Sequence, residues 1–179
     1  MNSKNISALV LIVMVCSCSA LKIKDYDQAF KNRGHPPVIV DYYAPAHITP
    51  GSNWKIYLRA EDEDGDMLYI ATMLFQAGFG YYATDYIRLE GKNRKGFAGY
   101  ISLKTPADVH LSFDQFTMEI MVRDSQGKQS NKVHLPLAFG SVKAAEIPAE
   151  WQDIADHQLG VLVTRIQSTA GMAEVTGSR

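Results

Sequence analysis

The sequence has little cysteine: Cys16 and Cys18 are its two cysteines, and both lie near the N-terminus. A disulfide therefore cannot form within the rest of the chain, and burial of apolar side chains must stabilise its folded part. This scarcity does not define the redox compartment, because exported proteins need not contain disulfides.

An excess of positive charge is also lacking. The 179 residues include 18 Lys and Arg and 19 Asp and Glu, which gives a formal net charge of −1. Nucleic-acid-binding proteins usually carry a basic patch, so we expect no nucleic-acid partner. The 5 histidines are scattered and show no zinc-ligand spacing.

Common catalytic motifs are absent as well. The sequence contains no G-x-S-x-G, H-E-x-x-H or P-loop pattern. Paired carboxylates occur only in one acidic turn, where exposure would leave their pKa values ordinary. We therefore expect that the protein is not an enzyme and has no cofactor, with calcium as the one exception considered below.

The N-terminal residues have the features of an export signal. Residues 6–15 form an almost unbroken apolar run that is too short to span a bilayer as a mature helix. The sequence Val15-Cys16-Ser17-Cys18 resembles the lipobox of bacterial lipoproteins. The resemblance implies removal of residues 1–17 as a signal peptide and lipidation of Cys18 with several acyl chains, which anchor stably. A plain signal peptide cleaved near Ala20, or a retained anchor, is the alternative.

Polar residues dominate positions 18–36, and a Gly-His-Pro-Pro sequence at residues 34–37 marks the end of this stretch. Consecutive prolines are extended and stiff, so we interpret residues 18–36 as a tether between the lipid and a folded domain. The domain is predicted at residues 37–140, and an extension follows at residues 141–179.

Alternation with a period of two is typical of residues 37–140. Trp54, Ile56 and Leu58 alternate with more polar residues, and a second such run begins at Phe116. Residues 67–76 are apolar at both phases, which indicates a strand that is covered on both faces. Turn signals recur at short intervals. The pattern predicts a mainly β fold, a seven-stranded antiparallel sandwich.

Two turns resemble those of known domains. The stretch AEDEDGDMLY, from Ala60 to Tyr69, resembles the second-to-third strand turn of bacterial immunoglobulin-like domains, including cadherin-like, PKD-like and fibronectin type III-like ones. The stretch VRDSQGKQS, from Val122 to Ser130, resembles their last hairpin. The resemblance implies an immunoglobulin-like sandwich, without the immunoglobulin disulfide, that acts as an adhesive, spacing or ligand-binding module.

The first of these turns is also a candidate metal site. Asp62, Asp64 and Asp66 place carboxylates at alternate positions, and the resemblance implies that Asp124 lies at the same end of the sandwich. Calcium binds roughly six to eight oxygens, so these four aspartates are candidate calcium ligands. The alternative is a solvated turn with local hydrogen bonds, in which Gly65 has a positive φ.

Tyrosines are frequent between two glycine-containing turns. Tyr81, Tyr82 and Tyr86 are candidates for binding a sugar or a protein partner, and packing within the sandwich is the alternative. The basic turn at residues 92–95 is interpreted either as a contact for anionic headgroups or polymers or as a solvated hairpin tip.

The extension has a different period. From Trp151 onwards, apolar residues recur at three- and four-residue spacing, which predicts a C-terminal helix over residues 149–167. A short strand at residues 159–163 is the alternative. The apolar stripe either covers the second face of residues 67–76 or binds a partner, with Trp151 at the contact. Residues 168–179 are expected to be frayed.

Together these features predict a non-catalytic binding or scaffolding module of the bacterial cell envelope. We expect it to be exported and lipid-anchored, on the outer membrane and facing the periplasm or the cell surface. The expected partners are the membrane, through the N-terminal lipid, and an envelope protein or a second copy of the chain. A calcium-stabilised adhesive module and an accessory protein that recognises envelope polysaccharide are the alternatives.

Overall fold

The computed structural model describes residues 34–170. The internal contacts of the chain define two units, Met1–Gly34 and His35–Arg179, and the folded domain described below belongs to the second of them. The predicted signal peptide at residues 1–17, the lipidation site Cys18 and most of the tether lie outside the described residues. No helix within residues 34–170 is long and apolar enough to cross a membrane.

Residues 34–170 include ten strands and three 3-10 helices, joined by turns and loops. The strands are β1 (Val38–Tyr43), β2 (His47–Ile48), β3 (Asn53–Glu61), β4 (Met67–Gln76), β5 (Gly80–Tyr81), β6 (Asp85–Arg88), β7 (Gly96–Lys104), β8 (Gln115–Asp124), β9 (Val133–Phe139) and β10 (Gln158–Leu162). The 3-10 helices are Gly91–Arg94, Val109–Phe113 and Ala149–Ile154.

The strands form two sheets. The four-stranded sheet has the order β1-β3-β7-β10, and the six-stranded sheet has the order β2-β9-β8-β4, with β5 and β6 both paired to β4. Most pairs are antiparallel, but β10 runs parallel to β7 and β2 runs parallel to β9. The chain therefore folds as a mainly β, immunoglobulin-like sandwich, which confirms the predicted fold class.

Alternating side chains build the core between the sheets. Trp54, Ile56 and Leu58 of β3 are fully buried, and they face the residues Phe116, Met118, Ile120 and Val122 of β8 within one apolar cluster. Burial of such a side chain contributes about 1.5–3 kcal/mol to the stability of the fold. Because successive side chains of a strand point to opposite faces, burial of one face of β3 and β8 in the core gives the apolar residues a period of two.

The strand count exceeds the seven strands predicted. The strands β2 and β5 contain two residues each, which is too short to produce a recognisable period. The strand β10 lies where the sequence predicts a helix. These three strands are joined to the sheets by tertiary hydrogen bonding, which local periodicity does not report.

The prediction of a C-terminal helix over residues 149–167 is wrong. The structure has the 3-10 helix Ala149–Ile154 and then β10, which agrees with the alternative of a short strand. Trp151 and Ile154 are three residues apart, a spacing that a 3-10 turn shares with an α-helix. Gly160 favours the strand, because it is a poor helix former and lies against Ile87 of β6.

Of the two alternatives for the apolar stripe, cover of the second face of β4 is not what the structure shows. Trp151 and Ile154 pack on Tyr57 and Tyr100, on the outside of the four-stranded sheet rather than the six-stranded one. The parallel pairing of β10 with β7 directs the extension to that sheet. The outward side chains of β4 therefore remain without this cover.

Residues 163–169 close the space between the sheets. The Asp85 carboxylate accepts hydrogen bonds from the Val163 amide (3.1 Å) and from the Thr164 amide and hydroxyl (2.9 and 2.7 Å). Gln76 donates to the Gln167 carbonyl (3.0 Å), and Ile166 is part of the core. This part of the extension is integral to the sandwich, and residues 171–179 lie outside the described residues.

The register assigns the loops to two opposite ends. Glu61 of β3 pairs with Gly96, and Met67 of β4 pairs with Asp124, so the β3–β4 and β8–β9 turns share one end. We call this the acidic end. The chain enters the sandwich there, because the His35 amide donates to Asp64.

Candidate functional site

The aspartates that the sequence predicts as calcium ligands lie at the acidic end. Asp66 lies in the turn that connects the two sheets, and Asp124 lies at the β8–β9 hairpin. The Ser125 amide nevertheless donates to the Asp66 carbonyl (3.0 Å), and the Ser125 hydroxyl donates to Asp66 Oδ2 (2.6 Å). Oxygens of Asp62, Asp64 and Asp66 lie within 4.8 Å of one another. The structure therefore groups three of the four predicted ligands, and Asp124 lies at the same end without belonging to that group.

Asp62 organises the turn itself. Its Oδ1 accepts from the Asp64 amide (3.2 Å), and its Oδ2 accepts from the Asp66 amide (2.9 Å). Gly65 has φ +73°, which favours glycine at this position. Burial raises the pKa of Asp62 above its usual value, against the opposing effect of the two amides. This is the local hydrogen-bonded turn that the sequence left open as an alternative.

Asp66 and Asp124 each use one carboxylate oxygen and leave the other without a partner. Asp124 Oδ1 accepts from the Gln126 and Lys128 amides, both at 2.8 Å. Within residues 34–170, Asp66 Oδ1 and Asp124 Oδ2 are buried and have no hydrogen-bond partner. A buried carboxylate oxygen without a partner is costly, and a cation would compensate that cost.

The charge state of Asp66 is consistent with such a role. Burial works against its ionised form, but hydrogen bonds from Ser125, Gln126 and Asp62 and the charge of Arg94 hold its pKa below its usual value. An ionised carboxylate is the form that binds a hard cation. Asp64, in contrast, is engaged with His35, whose Nδ1 lies 3.6 Å from its carboxylate.

Arg94 is a supporting residue that the sequence did not identify. Its Nε donates to the Met67 carbonyl (3.1 Å) and its Nη2 donates to the Asp66 carbonyl (3.4 Å), so one residue of the basic turn braces the acidic turn. No local pattern predicts this contact, because the two turns are brought together by the pairing of β3 with β7 and of β4 with β6.

The predicted tyrosines have different environments. Tyr81 and Tyr86 are 66% and 58% exposed. Tyr82 is partly buried, its ring lies 4.9 Å from that of Phe79, and its hydroxyl bonds to Gln76. Only Tyr81 and Tyr86 of these three are therefore available at the surface.

Trp151 does not form a surface site, contrary to the prediction. It is 2% exposed and its ring lies 5.9 Å from that of Tyr57. The guanidinium of Arg59 lies 4.5 Å from the Trp151 ring and covers it further. The indole is buried because it shields the outside of β3 and β7, so its role in this structure is packing.

The outside of the six-stranded sheet is an aromatic surface, which we call the open face. Strand alternation directs its members away from the core. They include Tyr69, Met73, Phe75, Tyr81, Tyr86, Arg88, Glu119, Met121 and Arg123. Ring centroids are 5.0 Å apart for Phe75 and Tyr81 and 5.9 Å apart for Tyr69 and Tyr86. Exposed aromatic patches of this kind are typical of interaction surfaces.

A groove joins the open face to the acidic end. Its volume is about 470 Å³, and its lining includes Tyr69, Tyr86, Arg123 and Asp124. A β-bulge between Met67 and Tyr69 shifts the register there. Tyr86 and Asp124, which the sequence assigned to two separate hypotheses, therefore line one groove.

Comparison with known proteins leaves the family open. No family model and no curated protein matches the chain. A PKD domain of an M14-like peptidase from Thermoplasmatales archaeon SCGC AB-540-F20 is 14% identical, with coverage of 61% of this chain and 100% of that chain and a TM-score of 0.41.

Two further solved structures are similar at the same level. The SrpA adhesin of Streptococcus sanguinis is 16% identical, with coverage of 61% of this chain and 57% of that chain and a TM-score of 0.39. The CARDB domain of the PF1109 protein of Pyrococcus furiosus, solved in complex with di-metal ions, is 9% identical, with coverage of 62% and 96% and a TM-score of 0.34. Because these scores are low, the class of immunoglobulin-like sandwich module is assigned from the strand pairing of this chain itself.

Proposed function

We propose that this chain is a non-catalytic binding module of the bacterial cell envelope, anchored by a lipid on Cys18, with the open face as its binding surface. One observation supports the binding role above others. Phe75, Tyr81 and Tyr86 are exposed on one sheet, whereas Trp151 and Ile154 cover the rings of Tyr57 and Tyr100 on the outside of the other sheet.

The asymmetry between the two sheets has an energetic meaning. The extension shields the aromatic residues Tyr57 and Tyr100, and burial of such rings is strongly favourable in water. The rings of the open face gain the same stabilisation when a partner covers them. The expected partner is an envelope protein or a second copy of the chain.

Photo-crosslinking tests the binding surface. Position 81 or 86 is replaced by p-benzoylphenylalanine in bacterial cells that produce the full chain, and position 163 is the matched control. Val163 is also exposed but lies outside the open face. We expect adducts of defined mass from positions 81 and 86 alone. Equal adducts from all three positions, or none, would contradict the proposed surface.

The anchor is tested separately, through the two neighbouring cysteines. We expect Cys18→Ala to abolish incorporation of labelled fatty acid and to release the protein from the membrane fraction, whereas Cys16→Ala retains both. Loss of fatty-acid incorporation in the Cys16 variant alone would show that Cys16 carries the lipid. Absence of incorporation in the unmodified chain would exclude the lipid anchor.

A second candidate function is a calcium-stabilised adhesive module, and the buried oxygens Asp66 Oδ1 and Asp124 Oδ2 favour it. Calcium that contacts both oxygens would replace two missing hydrogen bonds by two ionic contacts. Calorimetric titration checks this: we expect Asp124→Asn to abolish calcium binding and Asp156→Asn, at an exposed carboxylate, to preserve it. Absence of binding at millimolar calcium in the unmodified chain would exclude the site.

A further inference from the structure

We propose that the groove beside Tyr69 binds a carboxylate-bearing saccharide, which stacks on Tyr86 and pairs with Arg123. This inference rests on the proposed binding role of the open face and assigns a ligand class to its end near the acidic turn. The groove volume of about 470 Å³ lies in the range of small-ligand sites and is large enough for one or two sugar rings.

The strand register places two arginines beside one tyrosine. Tyr69 of β4 lies directly opposite Arg88 of β6 and opposite Arg123 of β8. Side chains at paired positions project to the same face of a sheet, so the three form one row across the open face. A ring between two guanidinium groups suits a ligand that combines an apolar ring face with negative charge.

Arg123 is the cation that is available for a ligand. Within residues 34–170 it forms no ion pair, whereas Arg88 lies 3.8 Å from the exposed carboxylate of Glu90. The Arg123 guanidinium lies over Gly127, since a Cβ on that glycine would be 3.3 Å from Arg123 Nη2. This position holds the guanidinium at the wall of the groove.

Within residues 34–170, neither of the neighbouring carboxylates forms an ion pair with Arg123. Asp124 is 2% exposed, and its Oδ1 accepts two amides. On the same face, Glu119 binds Lys132 (2.8 Å) and His134 (3.0 Å). Arg123 is therefore the exposed charged side chain of the groove lining, and its guanidinium favours a carboxylate on the ligand.

Aromatic geometry favours a sugar over an acidic peptide. The ring of Tyr86 is exposed and meets that of Tyr69 at an angle of 73°, which leaves one flat ring surface for the C–H face of a sugar. A peptide would gain most by pairing with an open strand edge. The groove instead lies on the face of β4, whose backbone is already paired with β6 and β8.

Calorimetry with tri-galacturonate and the full chain tests the inference, in a buffer without divalent cations. We expect Arg123→Gln and Tyr86→Ala each to weaken binding about tenfold or more, because each removes one of the two main contacts. Tyr81→Ala, at the other end of the open face, should change affinity less than about twofold. The methyl-esterified trisaccharide, which has the same rings without the charge, should bind about tenfold more weakly.

Amide chemical shifts of the unmodified chain provide a second measurement that does not depend on whether the variants fold. Tri-galacturonate should shift the amides of Tyr69, Tyr86 and Arg123 first. No binding up to about 10 mM, shifts elsewhere, or unchanged affinity in the Arg123 variant would overturn the inference. Preferential binding of hexaglutamate with the same dependence on Arg123 would assign the groove to an acidic peptide instead. If position 86 crosslinks to a partner but no saccharide binds, the saccharide site is excluded and the proposed binding function stands. If neither crosslinking nor saccharide binding is observed, the saccharide site and the proposed function are both excluded.

Discussion

Asp62, Asp66 and Asp124 are chemically the same residue but have different tasks at the acidic end. Asp62 uses both oxygens for amides of its own turn, whereas Asp66 and Asp124 each retain one buried oxygen without a partner. The sequence identified all three as candidate ligands from their type and spacing. It could not separate them, because the number of hydrogen bonds that each carboxylate accepts depends on how the β3–β4 turn packs against the β8–β9 hairpin, which is distant in the chain.

Glu119 provides a prediction at the residue scale. A hydrogen bond from Lys132, together with one from His134, holds the pKa of Glu119 below its usual value. Above about pH 5 the Glu119 carboxylate is ionised in both the folded and the unfolded chain, so its contacts with Lys132 and His134 contribute fully to the stability of the fold. That contribution is lost as the pH falls through the lowered pKa of the folded state. We expect Glu119→Gln to lower the free energy of unfolding by about 0.2–1 kcal/mol at pH 7 and by much less at pH 3.

Urea unfolding at the two pH values measures this difference. Glu146→Gln is the control, because its pair with Lys143 is long (3.7 Å) and both side chains are almost fully exposed. An equal loss of stability at pH 7 and pH 3 for the Glu119 variant would show that the ion pair is not its cause.

At the scale of elements, the strands with long alternation were predictable and the added strands were not. The alternation of β3 and β8 reflects one buried face, so local sequence is sufficient to recognise them. The strand β10 has a spacing that also fits a helix. Its pairing with β7, and the close approach of Gly99 and Gly160 to their neighbours, decides between the two.

Two glycines permit β10 to lie in the sheet, which leads to a prediction for this element. A Cβ on Gly99 would lie 2.6 Å from the His157 carbonyl oxygen, and one on Gly160 would lie 2.7 Å from Ile87 Cγ2. We expect Gly99→Ala to cost about 2–3 kcal/mol and Gly160→Ala about 1 kcal/mol, because a side chain moves more easily than a backbone carbonyl.

Thermal unfolding of the purified variants measures both effects. Gly140→Ala is the matched control, since a Cβ there would meet nothing within 4 Å, and its effect should stay within about 0.5 kcal/mol. A Gly99 variant as stable as the Gly140 variant would contradict the tight contact between β7 and the residues that precede β10.

At the scale of the whole molecule, the extension is part of the sandwich rather than an addition to it. Trp151 covers one sheet, and Ile166 enters the main core. The predicted division between a domain at residues 37–140 and an extension at 141–179 follows a change in the spacing of apolar residues in the sequence. The stabilising contacts run across that boundary.

Truncation after Gly140 tests this integration. The shortened chain loses Trp151 and Ile166, whose removal costs about 3–5 and 2–5 kcal/mol for such buried residues, and it leaves Asp85 without its donors. These losses rival the roughly 5–15 kcal/mol that stabilises a typical domain, so we expect the cooperative unfolding transition to disappear.

Point variants separate specific packing from the effect of chain length. We expect Ile166→Ala to lower the free energy of unfolding by about 2–4 kcal/mol and Val163→Ala, at an exposed side chain, to leave it within about 0.5 kcal/mol. Differential scanning calorimetry measures both. A truncated chain that melts cooperatively at the original temperature would show that residues 37–140 fold without the extension.

The sequence by itself determined the two-layer β architecture, because burial of one strand face imposes a period of two that is visible in β3 and β8. It also determined the turn built by Asp62 and Gly65, which depends on neighbouring residues. Only the tertiary structure decided that the extension covers the four-stranded sheet, that Trp151 is buried, and that Tyr86 and Asp124 line one groove. These features depend on register between strands far apart in the chain, and no local spacing encodes that register.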